Sequence, residues 1–396
     1  MKFFYISHGI IEDSARGNQI QTRNTFESLQ KELPDLIGIF RGANQSWFSK
    51  IRNEGQKYFV DQNSIISGWL ERIFQVITYK KYILPLVFIK QCEKILKTMP
   101  EEKTVYLRIY GVSEGIYFIK KMEDLKIKRL ILEFHDIDYV IPLYKHPWEK
   151  SFRRSRYQLL FKLADRQKMQ VAIVTVSKAL ADQIKKTFDY EQRMFTVPNG
   201  HSFYIAKPKE VDFNKKKIRI VYSGLNFFKI KGINYLIESL YYLDNRFSLK
   251  LIGGTKKHRE EFKEKYHDLI SNGKLVIQGP QSKEIVLNTL LDSDLAVIPL
   301  PKGGFSDFTS PLKLFEYMAV GLPIIASKIP ALEEILTDQS NALFFKAEDS
   351  RDLANKINNL ILNPKLAKSI SEKAFSDAKE FTYDKRAERI AKIMRS

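Results

Sequence analysis

The sequence predicts an α/β protein of two doubly wound, parallel-sheet domains, and three observations predict it. Between residues 218 and 327, short apolar runs alternate with amphipathic helical stretches, with glycine-containing turns between them, four or five times over. The same alternation fills the first half of the chain. A length of 396 residues suits two domains of ordinary size.

The elements follow in order. Residues 2–7 form an apolar first strand, and a polar loop at 15–18 leads to a helix over 20–33. Further strands are expected at 104–109, 129–135 and 171–177, with helices at 115–125, 147–168 and 178–188 between and after them. Pro198-Asn-Gly200 and then a lysine-rich stretch interrupt the pattern over 199–217, which marks a boundary. The expected division is a first domain at 1–203, a linker at 204–217 and a second domain at 218–380. A helix over 381–396 crosses back to the first domain. In the second domain, strands at 219–224, 249–254, 275–279, 295–300 and 323–327 are buried runs of the parallel-sheet kind, with helices from about Gly232, over 260–270 and over 285–291. Gly224, Gly253, Gly254, Gly279 and the turn at Ser310 all fall at carboxyl ends of strands, so they share one rim, where ligands of open α/β sheets bind.

The segment Asp307-Phe-Thr-Ser-Pro-Leu-Lys-Leu-Phe-Glu-Tyr-Met-Ala-Val-Gly-Leu-Pro323 is the most informative. Ser310 suits a helix N-cap, Pro311 the first helical position, and Gly321 a left-handed stop. Lys313 is out of place, because a cation opposes the positive end of the helix dipole unless an anion is expected there. A diphosphate held by the free backbone N–H groups of the helix start and by Lys313 satisfies both, with Glu316 one turn on to accept from sugar or ribose hydroxyls. The plainer alternative is an ordinary capped helix with solvated charges.

Composition narrows the classes. One cysteine, Cys92, excludes an internal disulfide framework and suits a reducing compartment. Neither a signal peptide nor a spanning helix is legible, and the few histidines lack zinc-ligand spacing. The net charge is +19 and clusters in two places. Lys80 and Lys81 lie among aromatics at 70–97, and Arg153, Arg154 and Arg156 among aromatics at 144–169. Such basic, partly apolar helices fit an anionic membrane surface; a solvated face and nucleic-acid binding are the alternatives, and no nucleic-acid motif accompanies the charge.

The order of these segments resembles the retaining glycosyltransferases of family 4, which have the two-Rossmann GT-B fold. The likeness rests on Ser177-Lys-Ala-Leu180, Pro198-Asn-Gly200, Tyr222-Ser-Gly224, Lys231-Gly232 and Ser310-Pro-Leu-Lys-Leu-Phe-Glu-Tyr-Met-Ala319 with Gly321 and Pro323. The form is close to that of bacterial surface-polysaccharide enzymes. The resemblance implies two Rossmann-like domains facing across a cleft and a nucleoside-diphosphate sugar as donor, without a metal or other cofactor. It implies catalytic roles for His135, Lys231 and Glu316, with Glu316 on the donor ribose and His135 beside the transferred sugar. The donor diphosphate falls to Gly17, Asn18, Asn226, Lys229, Lys231 and the start of the helix at Ser310, Pro311, Leu312 and Lys313. Two positions depart from the family pattern. Phe308 stands where the first glutamate of a pair is expected, with Asp307 as its replacement at the sugar, and Leu225 stands where an arginine is expected.

The expected function is transfer of a sugar to a glycan or lipid-linked acceptor at the inner face of the plasma membrane, by a cytoplasmic, peripheral enzyme. A nucleotide-sugar epimerase of the same fold is the rival enzyme. A non-catalytic membrane or nucleic-acid binder is the rival from another class.

Overall fold

A computed structural model of the chain describes residues 1–10, 17–41, 50–61, 83–109, 111–137, 147–224 and 231–396. The chain divides into two units, Met1–Pro198 with Tyr383–Ser396, and Asn199–Thr382.

In the first unit, strands β1 (Lys2–Ile10), β2 (Ile37–Arg41), β3 (Lys50–Glu54), β4 (Lys57–Asp61), β5 (Lys103–Arg108), β6 (Ile127–Phe134), β7 (Val171–Thr175) and β8 (Met194–Thr196) form one sheet. Its order is β3-β4-β2-β1-β5-β6-β7-β8. The pairs are parallel except for β3 and β4, a hairpin whose turn contains Gly55 at φ 64. Every residue of β5 and β7 is buried, as a sheet covered on both faces requires. The last helix, Tyr383–Arg395, inserts Ala387, Ile390, Ala391 and Met394 into the core beside Tyr5, Phe26 and Leu29.

In the second unit, β9 (Ile218–Gly224), β10 (Phe247–Gly253), β11 (Leu275–Gln278), β12 (Leu295–Ile298), β13 (Ile324–Ser327) and β14 (Leu343–Phe345) form an all-parallel sheet ordered β11-β10-β9-β12-β13-β14. The winding reverses between β9 and β12. That reversal opens a crevice beyond the carboxyl ends of the two strands, where such sheets hold their ligands.

Four local expectations are corrected. Residues 204–217 are not a free linker but part of the second unit: Phe203 and Phe213 are buried in its two cores, and the Lys209 amide bonds the Val320 carbonyl at 3.0 Å. Burial of these spaced aromatics outweighs the local lysine charge. The chain therefore passes from the first unit to the second after Pro198, not after 203. The helix expected over 260–270 is two helices, Lys256–Lys265 and His267–Ser271, broken where the Tyr266 ring turns into the core. Gly17 and Asn18, expected in a loop, open the helix Gly17–Glu32, where a short polar residue suits the first turn.

Candidate functional site

The second unit gathers its unusual charges at the β9/β12 reversal. β9 ends at Gly224, and Lys231 and Gly232 lead into the helix Ile233–Ser239. Gly232 adopts φ +67 and lies so close to the end of β12 that an added Cβ would meet the Pro299 carbonyl oxygen at 1.6 Å. Only glycine fits, and the contact holds Lys231 beside the crevice.

The helix Leu312–Val320 is fixed from below. The Tyr317 hydroxyl accepts the Ser223 amide at 2.9 Å and lies 3.3 Å from the Ser223 hydroxyl, which ties the helix to the penultimate residue of β9. One helical turn earlier, Lys313 therefore falls on the same strand end. Its Nζ sits 4.5 Å from the Tyr222 ring centroid and 3.3 Å from where a Cβ on Gly224 would stand. Lys231 Nζ lies 4.7 Å from the Phe305 ring centroid. Among the described residues, neither ammonium forms an ion pair or a conventional hydrogen bond.

Electrostatics follows from this placement. Burial, and then the charge of Lys313, lower the Lys231 pKa from 10.5 to about 8. Burial lowers Lys313 to about 8 as well, against the pull of Glu316. Burial raises the Glu316 carboxyl, opposed by Lys313 and Lys283. Glu316 makes no hydrogen bond or ion pair among the described residues. Two neighbouring amines that repel each other, with the Glu316 carboxyl pulling on Lys313, make this end of the helix a cationic site. The amides of Leu312 and Lys313 donate to no described residue, so the helix start adds two free donors.

Other expected residues are placed differently. Ser310 does not cap the helix: Pro311 holds the N-cap position, and its side chain offers no acceptor. Ser310 is instead engaged by Asn199, whose amide donates to Ser310 Oγ at 3.0 Å and whose Nδ2 donates to the Ser310 carbonyl at 2.7 Å. Asp307 Oδ1 accepts the Gly303 amide at 3.0 Å, closing its own turn. Asn226 and Lys229 lie outside the described residues, as do Lys80 and Lys81. The backbone of Gly17 and Asn18 opens a helix.

In the first unit, His135 follows the end of β6 and keeps 20% of its side chain exposed. Its Nε2 lies 2.9 Å from Glu133 Oε1. Burial and the nearby Arg108 guanidinium lower the imidazole to about 4, against the pull of Glu133, so it is neutral near pH 7. Glu133 is ion-paired to Arg386 of the last helix.

The surface basic cluster needs one correction. Arg153 is only 6% exposed and cannot face a membrane. It lies on the buried stripe of the helix Pro147–Arg166, in register with Tyr157, Leu160, Phe161 and Ala164 at helical spacing. Arg154 is exposed, and Arg156 reaches Ser113 Oγ at 3.4 Å. Tyr157 and Phe161 stack with Phe188 inside the unit, which leaves Phe152, 49% exposed, as the outward aromatic described on this helix. Among the described residues, no helix is long and apolar enough to cross a membrane.

The sequence reading missed Asn199, Tyr222 and Tyr317 as supports of the site, and Glu133 with Arg386 behind His135. The Lys313 to Tyr317 spacing of one turn was the available signal for Tyr317.

Residues 205–377 match the family described as glycosyl transferases group 1. An uncharacterized glycosyltransferase of Methanocaldococcus jannaschii is 27% identical over 213 residues, 54% of this chain and 56% of that protein. The N,N'-diacetylbacillosaminyl-diphospho-undecaprenol alpha-1,3-N-acetylgalactosaminyltransferase of Campylobacter jejuni is 24% identical over 47% of this chain and 46% of its own length. The chain thus spans about half the length of these curated relatives. In fold it is similar to sucrose-phosphate synthase from Thermosynechococcus elongatus, with a TM-score of 0.75 and 15% identity over 100% of this chain and 98% of the other. It is also similar to HepE of Anabaena, solved with UDP and glucose, with a TM-score of 0.67 and 14% identity over 100% of both chains. In sequence over 205–377, and in fold over its whole length, the protein is similar to glycosyltransferases of the GT-B fold.

Proposed function

We propose that the protein is a glycosyltransferase that moves a sugar from a nucleoside-diphosphate sugar to a glycan or lipid-linked acceptor with retention of configuration. The setting we propose is bacterial cell-surface polysaccharide or glycolipid synthesis, by an enzyme of family 4. One observation carries the reading: Lys231 and Lys313 stand near each other, neither in an ion pair among the described residues, beside the open amides of Leu312 and Lys313. A diphosphate complements two cations and two amide donors at a helix start. The relatives support the substrate class, since HepE was solved with UDP and the Campylobacter protein is named for a diphospho-undecaprenol acceptor.

The chemistry follows. As the C1–O bond to the diphosphate breaks, negative charge grows on the departing phosphate oxygens. Preorganised ammonium and amide donors stabilise that charge more in the transition state than in the bound donor. An acceptor hydroxyl attacks C1 on the face the phosphate leaves, and its proton passes to a phosphate oxygen, so configuration is retained. Glu316 accepts from the ribose hydroxyls, and neutral His135 orients the sugar. The proposed step uses no metal. Ser310 acts through its backbone, while its hydroxyl is held by Asn199. Asp307 retains one carboxylate oxygen for a sugar hydroxyl. Arg154, with Lys80 and Lys81, supplies the cationic face we assign to an anionic membrane surface.

The test is donor turnover with and without a lipid-linked acceptor. Lys231→Ala and Glu316→Ala each lower turnover at least tenfold if the site is right. Unchanged turnover in both removes the assignment, and release of an altered nucleotide sugar without any acceptor identifies an epimerase instead.

A further inference from the structure

The last helix reaches the candidate catalytic histidine through two buried charges. Arg386 is 2% exposed in its side chain, and Glu133 is fully buried. The Arg386 guanidinium is held on three sides. Nε reaches Thr25 Oγ1 at 3.4 Å, Nη1 donates to the Pro198 carbonyl at 2.7 Å and to the Val197 carbonyl, and Nη2 donates to Glu133 Oε1. The same Glu133 oxygen faces His135 Nε2 at 2.9 Å. A second guanidinium, Arg108, stands nearby, fixed by Thr22 Oγ1 at 2.8 Å and Gln21 Oε1 at 2.6 Å. Glu133 is buried, which alone favours the neutral acid, yet Arg386, His135 and Arg108 hold it well below the usual carboxylate range.

An ionised Glu133 can only accept. The hydrogen between it and His135 must therefore be on Nε2, and in the neutral ring Nδ1 then carries the lone pair. No described residue bonds Nδ1. Were Glu133 to take a proton, the relation would reverse: the acid would donate to Nε2, and Nδ1 would carry the hydrogen.

The geometry points to Arg386 as a positioning residue for sugar transfer: by keeping Glu133 a carboxylate, it fixes His135 as the Nε2–H tautomer and presents Nδ1 as an acceptor for a hydroxyl of the transferred sugar. This rests on the reading above that His135 lies beside that sugar. It assigns the C-terminal helix a part in the reaction beyond packing. Arg386 also braces the helix Gly17–Glu32 through Thr25, and Lys31 of that helix meets Asp384 at 2.9 Å. The last helix therefore holds the histidine and the first helix in one frame.

The experiment uses the full chain. Nitrogen NMR of His135, assigned by difference against His135→Gln, reads the tautomer, and steady-state kinetics with donor and acceptor read the consequence. The wild-type protein is expected to show the Nε2–H pattern. Arg386→Gln moves it toward Nδ1–H and lowers kcat about tenfold with KM for the nucleotide sugar changed less than about threefold, since one hydrogen bond to the sugar is lost and the diphosphate lysines are untouched. Arg386→Lys keeps the charge and restores most of kcat. Should Arg386→Gln not fold, Glu133→Gln tests the same link: its neutral amide, which can accept or donate, releases the tautomer and lowers kcat likewise. An unchanged tautomer or unchanged kcat in the folded variant overturns the proposal. Full turnover in His135→Gln, or none in the wild-type chain, overturns the functional reading itself, and the tautomer measurement stands apart from both.

Discussion

Nucleotide binding should weaken as pH rises through about 8, because the free protein loses there the two charges that receive the diphosphate. Lys231 and Lys313 both titrate near 8 rather than 10.5. A bound diphosphate favours the charged ammonium and returns each pKa toward its ordinary value. Below pH 8 both lysines are protonated before and after binding, and affinity is flat. Above it, the free protein must take up protons to bind, and each lysine can cost up to about tenfold in affinity per pH unit. At about pH 9.5 that is a ceiling of about 2 kcal/mol for each lysine. Both side chains keep partial contact with water, so about half the summed ceiling, roughly 2 kcal/mol or thirtyfold, is the expected loss. Isothermal titration of UDP, in buffers of differing ionisation heat at about pH 7 and about pH 9.5, measures both affinity and proton uptake. A dissociation constant constant within about twofold, with no proton uptake, would refute the argument.

Three further outcomes follow from single contacts. Tyr317→Phe removes the acceptor of the Ser223 amide and frees the helix that carries Lys313; about 1–2 kcal/mol of stability should be lost in denaturant titration, with weaker UDP binding. Gly232→Ala places a methyl against the Pro299 carbonyl at a positive φ, and thermal unfolding should show a loss of more than about 3 kcal/mol or no soluble protein. Arg154→Ala should weaken binding to anionic vesicles at low salt by up to about fivefold, whereas Arg153→Ala should act on thermal stability, because Arg153 is buried.

Much of the fold was legible because its signals are local. Largely apolar runs of four to seven residues mark β9 to β13, with glycine at or just after the end of β9, β10 and β11, and Lys313 stands out against its own helix dipole. The short β14 and the hairpin strands β3 and β4 lack that length or purity and carried no such signal. What escaped depends on distance along the chain. Asn199 grips Ser310 from 111 residues away, and Arg386 meets Glu133 across 253. Ser310 looked like a cap because its local context fits one; a distant partner claimed it. Arg153 looked like surface because Lys150, Arg154 and Arg156 lie within three residues of it, and the stripe through Tyr157, Leu160 and Phe161 shows which face turns inward.

The first unit is closed by the final fourteen residues, Tyr383–Ser396, so the second unit is threaded into it as an insertion. Without Tyr383–Ser396 the first unit lacks a helix of its own core, whereas Asn199–Thr382 holds its whole sheet and both of its cores. Without Arg386, Glu133 sits buried at a strand end without its chief counter-ion, a state that favours protonation. Removal of the last helix should therefore leave the second unit folded while loosening the strand end that leads to His135.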